Sequence, residues 1–504
     1  MLAWTIYISF LGVLVLMLLP KGNAGLARGV AMLTALGGLA VAVVGFAQFK
    51  AGVLLPIAEV DWIPSLGIKY HLAADGISMT LVLLTGLAAV AGILFSWNIE
   101  HRTKEFFAFY LALIGGVYGV FLSFDLFLLF VFYEIAIIPK YFIIAIWGST
   151  RKEYGAMKLA LYSFVGSAMV LVGLIAAYVV SGAHTLSLIE LARYPFPHAF
   201  QVWVFPMVFV GFAILAGLWP FHTWAPTGHV AAPTAASMLL AGVVMKLGAY
   251  GCLRVAMTLF PEGLEVWRGA IAILAVIGIV YGAMVALVQK DFKFVIGYSS
   301  VSHMGFVLLG LVTLNTIGLS GAVLQMFSHG IIAGLLFAVV GRMVYDRTHT
   351  RELSALEVMN LNKALPFAAV TFVIAGVASM GLPGFSGFVA ELQVLIGAWQ
   401  AFPTLAVISG AGILVGVAYT LRAIQKAFFG DAEEEPPSPG QHNAGTSPHD
   451  NHELPPITVP ERIGAVMLIG ASLVIGLYPH LLLRVIVPSL NSPLFEWLRA
   501  GGVR

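Results

Sequence analysis

The chain has 504 residues, 60% of them apolar and only 10% charged, with a net charge of +2 and a mean hydropathy of +0.96. A soluble domain usually carries about 25% charged residues, so a water-soluble enzyme is excluded, and the small net charge gives no basic footprint for nucleic acid. The single Cys252 excludes an internal disulfide and any cysteine-held metal cluster.

Charge-poor stretches of about 20 residues, long enough to cross a bilayer, recur from end to end. Hydropathy places fourteen spans, near 2–20, 28–48, 78–97, 106–123, 126–147, 158–180, 203–224, 231–258, 268–288, 294–313, 317–344, 364–400, 404–428 and 461–482. The first lacks a basic n-region and a small-residue cleavage site and is read as a span, not a signal peptide. The expected fold is an all-α polytopic membrane protein. Residues 1–105 form the first three spans, and 106–258 and 268–428 form two five-span units. Residues 431–456 form a flexible loop, and 457–504 the last span and a tail. Pro and acidic residues dominate the loop, which is expected to be disordered, so its His442, His449 and His452 are read as solvated rather than metal-binding.

Two spans are broken. The seventh contains Gly217-Leu218-Trp219-Pro220-Phe221 and Pro226, the twelfth Gly381-Leu382-Pro383-Gly384-Phe385. Lying an odd number of spans apart, these similar segments would run in opposite directions, as in inverted-repeat transporters. Lys and Arg crowd one set of loops, around Arg102–Lys104, Arg151–Lys158, Lys290–Lys293 and Arg342–Arg351, and are sparser in loops holding Lys50, Lys69, Arg193, Arg254 and Arg268. The positive-inside rule puts the first set in the cytoplasm and both termini outside.

A charge at the bilayer centre costs at least about 2.5–3.5 kcal/mol and survives where it serves a polar pathway. Glu134, Lys140, Lys246, His329 and Glu391 all lie within apolar spans or beside their breaks. Burial raises carboxyl and lowers lysine pKa values, and neighbouring opposite charges reverse both shifts. Acids, lysines and histidines in series therefore suit proton transfer. His222 and His229 flank the seventh-span break and are candidates for proton uptake, with backbone capping the alternative. Asp125 reads as a helix cap. Asp291 and Lys293 read as an interfacial pair or a relay.

The run Trp219-Pro220-Phe221-His222-Thr223-Trp224-Ala225-Pro226, then His229, Ala232 to Ser237 and Leu239 to Gly251, resembles the antiporter-like subunits of respiratory complex I. So do Asp291-Phe292-Lys293, Tyr298 to Gly305 and Met326 to Gly330, while Tyr345 to Arg351 is similar to the branch called subunit M, the homologue of mitochondrial subunit 4. The resemblance implies a proton-translocating subunit of NADH:quinone oxidoreductase with two linked half-channels. It implies no cofactor of its own, since NADH, FMN, iron–sulfur clusters and quinone would belong to partner subunits. The implied partners are adjacent antiporter-like subunits in an inner (plasma) membrane. It matches Glu134, Lys246 and Glu391 to the family's buried charges and His303 and His329 to its central histidines, with Glu391 on the release side.

One position departs from the pattern. Leu215 stands where the family usually has the seventh-span lysine that partners the fifth-span glutamate, and Lys140 stands where an apolar residue is common. Lys140 is expected to have taken over as the cation serving Glu134, although six helical residues set the two about 120° apart; the alternative is that it snorkels or meets a neighbouring subunit. Competing readings are a subunit of a multisubunit cation/proton antiporter or membrane-bound hydrogenase, a free-standing solute transporter, and a scaffold whose pump has changed.

Overall fold

The computed structural model describes residues 1–20, 22–430 and 454–496. The loop expected over 431–456 lies outside the described residues up to 453, together with His442, His449 and His452. Leu454 to Pro456 are described.

Hydropathy and capping chemistry together account for the helices. In chain order they are α1 (Trp4–Leu18), α2 (Ala24–Gln48), α3 (Gly76–Leu94), α4 (Thr103–Leu122), α5 (Leu126–Trp147), α6 (Lys152–Ser181), the short α7 (Leu188–Ala192), α8 (His198–Ala216) and α9 (Trp224–Ala231). Then follow α10 (Thr234–Met257), α11 (Pro261–Val288), α12 (Phe292–Val312) and α13 (Thr316–Thr348). The chain continues through α14 (Leu353–Glu357), α15 (Pro366–Ser379), α16 (Ser386–Ala401), α17 (Pro403–Phe428), α18 (Val459–Leu477) and α19 (His480–Leu490). Asn23, Asp75, Asp125, Asp291 and Asn315 each accept from a backbone N–H in the first turn of the helix that follows, which satisfies donors that have no partner inside the helix.

Among the described residues, twelve helices are long and apolar enough to cross a membrane, not fourteen. The first expected span is a helix of only 15 residues. The twelfth is two pieces, α15 and α16, of 14 and 16 residues. The fourteenth ends at Leu477, with α19 starting afresh at His480. One element was not expected at all, a two-stranded antiparallel hairpin of β1 (Leu55–Ile63) and β2 (Ile68–Ala74). It is too small to alter the all-helical class.

The seventh-span break differs from expectation in its limits. Helix α8 stops at Ala216 and α9 resumes at Trp224. Pro226 does not interrupt anything, because it lies in the first turn of α9, where the missing N–H has no helical partner to lose. The twelfth-span break repeats the same geometry. Gly217 and Gly381 both adopt positive φ, +85° and +76°. In one break Gly217 N–H donates to Ile214 O and Leu218 N–H to Ala213 O, and in the other Gly381 donates to Ala378 O and Leu382 to Val377 O. This is the paired bonding of a Schellman cap, which needs a residue tolerant of the left-handed region.

A second feature recurs as well. Asp125 accepts from the amides of Phe127 and Leu128 at the start of α5, and Asp291 from those of Lys293 and Phe294 at the start of α12. Each start is clamped by two backbone bonds to a later loop, Leu126→Leu186 with Leu188→Phe124, and Phe292→Arg351 with Leu353→Lys290.

Burial sorts the helices. The most apolar windows of α10 and α13 are 100% buried and that of α12 is 94% buried, against 28% for α17. In lipid, close packing rather than hydrophobicity joins helices, and small residues permit the approach. A Cβ on Gly330 of α13 would lie 2.6 Å from the Gly242 carbonyl oxygen of α10, and one on Gly248 would lie 2.5 Å from the Ala216 amide of α8.

Arg254 corrects the reading of the loops. It is not a loop cation but is fully buried in α10, with Nη2 2.6 Å from Asp75 Oδ2 and its guanidinium over the rings of Phe124, Tyr250 and Phe495.

Candidate functional site

The three most buried helices also carry polar groups at mid-length. Helix α10 winds as a wide π-turn over Leu240–Val244, a distortion that often marks functional sites. Lys246, fully buried just beyond it, donates to the Ala241 carbonyl five residues back and to His329 Nδ1 at 2.7 Å. The Gly242–Gly330 crossing lets α10 and α13 come close enough for that second bond.

From His329 the row continues. Its ring centroid is 5.5 Å from that of His303 on α12, and its Nε2 has no protein partner. His303 Nδ1 lies 2.9 Å from Glu391 Oε1 and Nε2 lies 3.1 Å from the Ser379 hydroxyl. Gln325 Nε2 donates to the same carboxylate oxygen at 3.0 Å. The space bounded by His303, Gln325, His329, Ser379 and Glu391 offers about 10 Å³ to the centre of a water molecule, room for about one water. Imidazole can accept a proton on one nitrogen and release one from the other, so an amine, two imidazoles and a carboxylate in this order can pass a proton.

The twelfth-span break makes space for the acid. Glu391 lies on α16, just past the break, and a Cβ on Gly381 would sit 3.2 Å from its Oε2. The expected residues Lys246, His303, His329 and Glu391 thus come together as one network.

Glu134 and Lys140 do not join it, and they do not pair directly with each other. Glu134 on α5 is half-buried, beside Ser167, and its Oε1 has no hydrogen-bond partner. The Lys140 amine turns inward and is fully buried. It has no hydrogen-bond partner either, although it lies within electrostatic reach of Glu134. Leu215 is a buried core residue of α8.

The two candidate uptake histidines have different settings. His222, also buried with both ring nitrogens unpartnered, packs against the rings of Tyr281 and Tyr298 at 5.2 and 6.2 Å. His229 is fully buried against Phe337 at 4.8 Å, with both ring nitrogens unpartnered, and feels the charges of Lys246 and Lys293. Asp291 and Lys293 do not bond to each other through their side chains. Asp291 pairs with Arg351 at 3.2 Å, and the Lys293 amine donates to the Ala232 carbonyl at 2.9 Å.

Gln325 and Ser379 were missed by sequence reasoning. Gln325 stands four residues before His329, the spacing of one helix face, and that spacing alone could have revealed it. Ser379 carries no signal, since serine is ordinary in membrane helices.

A buried row of proton-exchanging groups at mid-depth in a polytopic helical bundle defines the class of ion-translocating membrane subunits. The family described as NADH:quinone oxidoreductase/Mrp antiporter, TM matches residues 123–415. NADH-quinone oxidoreductase subunit M of Rhodobacter capsulatus is 37% identical over 441 residues, covering 85% of this chain and 82% of that one. NAD(P)H-quinone oxidoreductase chain 4 2 of Microcystis aeruginosa is 36% identical, covering 85% and 80%. A chain of respiratory complex I from Thermus thermophilus with bound NADH superposes with a TM-score of 0.87 at 28% identity, covering 99% of each chain. The chain belongs to the NADH:quinone oxidoreductase/Mrp antiporter transmembrane family, in its subunit M (chain 4) branch. It is a multi-pass membrane protein of a respiratory complex.

Proposed function

We propose that the chain is a proton-translocating membrane subunit of a complex I type NADH:quinone oxidoreductase, driven by quinone reduction elsewhere in the assembly. The observation that carries this reading is the row Lys246–His329–His303–Glu391, hydrogen-bonded at both ends and joined in the middle by two imidazoles whose centroids are 5.5 Å apart. Protons cross through units 106–258 and 268–428, whose matching breaks and matching aspartate clamps support an inverted repeat. Both termini lie outside the inner (plasma) membrane and the basic loops inside. NADH, FMN, iron–sulfur clusters and quinone reside on partner subunits. A partly exposed Glu134 at membrane depth is costly against lipid, which supports an adjacent antiporter-like subunit covering that flank.

In the assembled complex reconstituted in liposomes, Glu391→Gln and Lys246→Ala should lower the protons moved per electron. An unchanged ratio in both would defeat the reading and favour a scaffold. A multisubunit cation/proton antiporter or membrane-bound hydrogenase is the other reading, because the family description spans oxidoreductase and Mrp members. Sodium-driven rather than NADH-driven proton movement would select the antiporter.

Lys140 serves Glu134 in place of the cation absent at Leu215. Support comes from its inward, unpartnered amine, whose burial would be unfavourable without a use or a compensating charge. Lys140→Met should reduce pumping to near the level of Glu134→Gln. Wild-type pumping would assign Lys140 a packing role.

A further inference from the structure

We infer that Lys293 is the group through which protons enter from the basic face, passing by way of His229 to Lys246. The inference rests on the proton-translocating reading above and adds the uptake path to it. Between the ends of α3, α5 and α13 and the starts of α10 and α12 lies a cavity of about 230 Å³, lined by Asn98, Ser149, Thr234, Lys293 and Asp346 among others. It is wide enough for several waters, and its walls come mostly from the loops rich in Lys and Arg, with Ala232, Pro233 and Thr234 added by the junction of α9 and α10.

Lys293 lines this vestibule and yet is only 2% exposed. An ammonium has three donors, and the structure gives this one a single protein acceptor, Ala232 O at 2.9 Å. Every nearby charge is engaged elsewhere. Asp291 caps α12 and pairs with Arg351, and Asp346 pairs with Arg342 at 3.0 Å. An amine without its own counter-ion, at the boundary between water and a dry interior, can be charged on one side and neutral on the other.

The acceptor it holds is informative. Ala232 is the C-cap of α9, the half-helix that carries His229 three residues earlier. His229 has both nitrogens free and lies within the electrostatic influence of Lys293 and Lys246. The transfer is balanced without any further reactant. Because neither amine hydrogen-bonds to His229, water bridges each gap: through it the Lys293 ammonium gives a proton to one nitrogen of His229, the other nitrogen gives one to the Lys246 amine, and vestibule water reprotonates Lys293. His222 also has both nitrogens free, but the charge it feels is that of Lys158 rather than Lys293 or Lys246.

The rival role for Lys293 is a tether that fixes the end of α9. Lys293→Arg separates the two, because arginine keeps the charge and the donor but does not release its proton. Lys293→Gln likewise keeps a donor. In the intact complex in liposomes, with proton-to-electron ratios measured alongside Glu391→Gln, a relay requires the Arg and Gln variants both to fall to the Glu391→Gln value. A wild-type ratio in Lys293→Arg would overturn the inference and leave a tether. Asn98→Leu, which narrows the vestibule without touching the amine, should also lower the ratio, and it decides the matter if the lysine variants do not assemble. If Glu391→Gln itself pumps normally, the translocation reading fails and this path fails with it. If only Glu391→Gln loses pumping, the reading stands and the path through Lys293 is wrong.

Discussion

At the scale of single residues, burial decides what each polar group does. Asp125 accepts from the amides of Phe127, Leu128 and Lys69, which favours its carboxylate form, yet burial outweighs them and pushes its pKa from 3.8 up to about 6. The native state therefore holds this proton more tightly than the unfolded chain does. The resulting stabilisation is complete below about pH 3.8 and is lost as pH rises through about 6. Corrected hydrogen-exchange protection at Phe127 and Leu128 should accordingly weaken between pH 4 and 6. Asp125→Asn keeps a capping oxygen and should flatten that dependence. A wild-type protection that strengthens over the same interval would contradict the assignment.

At the scale of elements, local distortions put the groups in register. The π-turn of α10 contains the Ala241 carbonyl that receives Lys246, and the two Schellman breaks end helices where polar groups must gather. Ion clamps do similar work at the surface. Glu461, fully buried at the first turn of α18, takes Arg342 at 2.5 Å and Arg347 at 2.8 Å, and Arg347 also donates to the carbonyls of Pro455 and Pro456. The stretch from Tyr345 to Arg351 thus anchors the chain where it returns after residue 453. Breaking a buried ion pair by removing one partner costs about 3–5 kcal/mol. Glu461→Ala should reduce amide protection across α18 by roughly that amount, and an unchanged protection would show the clamp to be dispensable.

Most of this architecture was legible in the sequence, for a physical reason. A charge inside an apolar span is conspicuous because it is expensive, so Lys246, His329 and Glu391 announced themselves. The Asp125 cap could be read from residue type and position, whereas Asp291, read as a pair or a relay, is a cap as well. Other features left no such mark. The hairpin of β1 and β2 has too irregular an alternation to stand out between apolar helices. Arg254 looked like a loop cation because its partner Asp75 is distant in sequence. Gln325 and Ser379 are uncharged and cost too little to be noticed, although they complete the environment of His303. The position of Lys140 suggested a partnership with Glu134, but helix phase alone could not say whether its amine faced lipid or core.

Across the whole molecule, Lys246, His303 and His329 lie near the middle of their helices and Glu391 lies beside the break of its span, so the row between them runs sideways through the bundle at one depth. On the proposed reading, a proton moving along it does almost no electrical work, because the membrane voltage falls along the perpendicular direction. The charge for crossing, about 2.3 kcal/mol per 100 mV, is divided between the uptake and release segments at the two ends. An imposed potential should therefore change the rates of loading and discharge and leave the sideways transfer alone, which time-resolved charge-displacement recording on oriented complexes can separate. With this geometry the protein can hold a proton in the middle of its reaction cycle at little electrostatic penalty from an energised membrane.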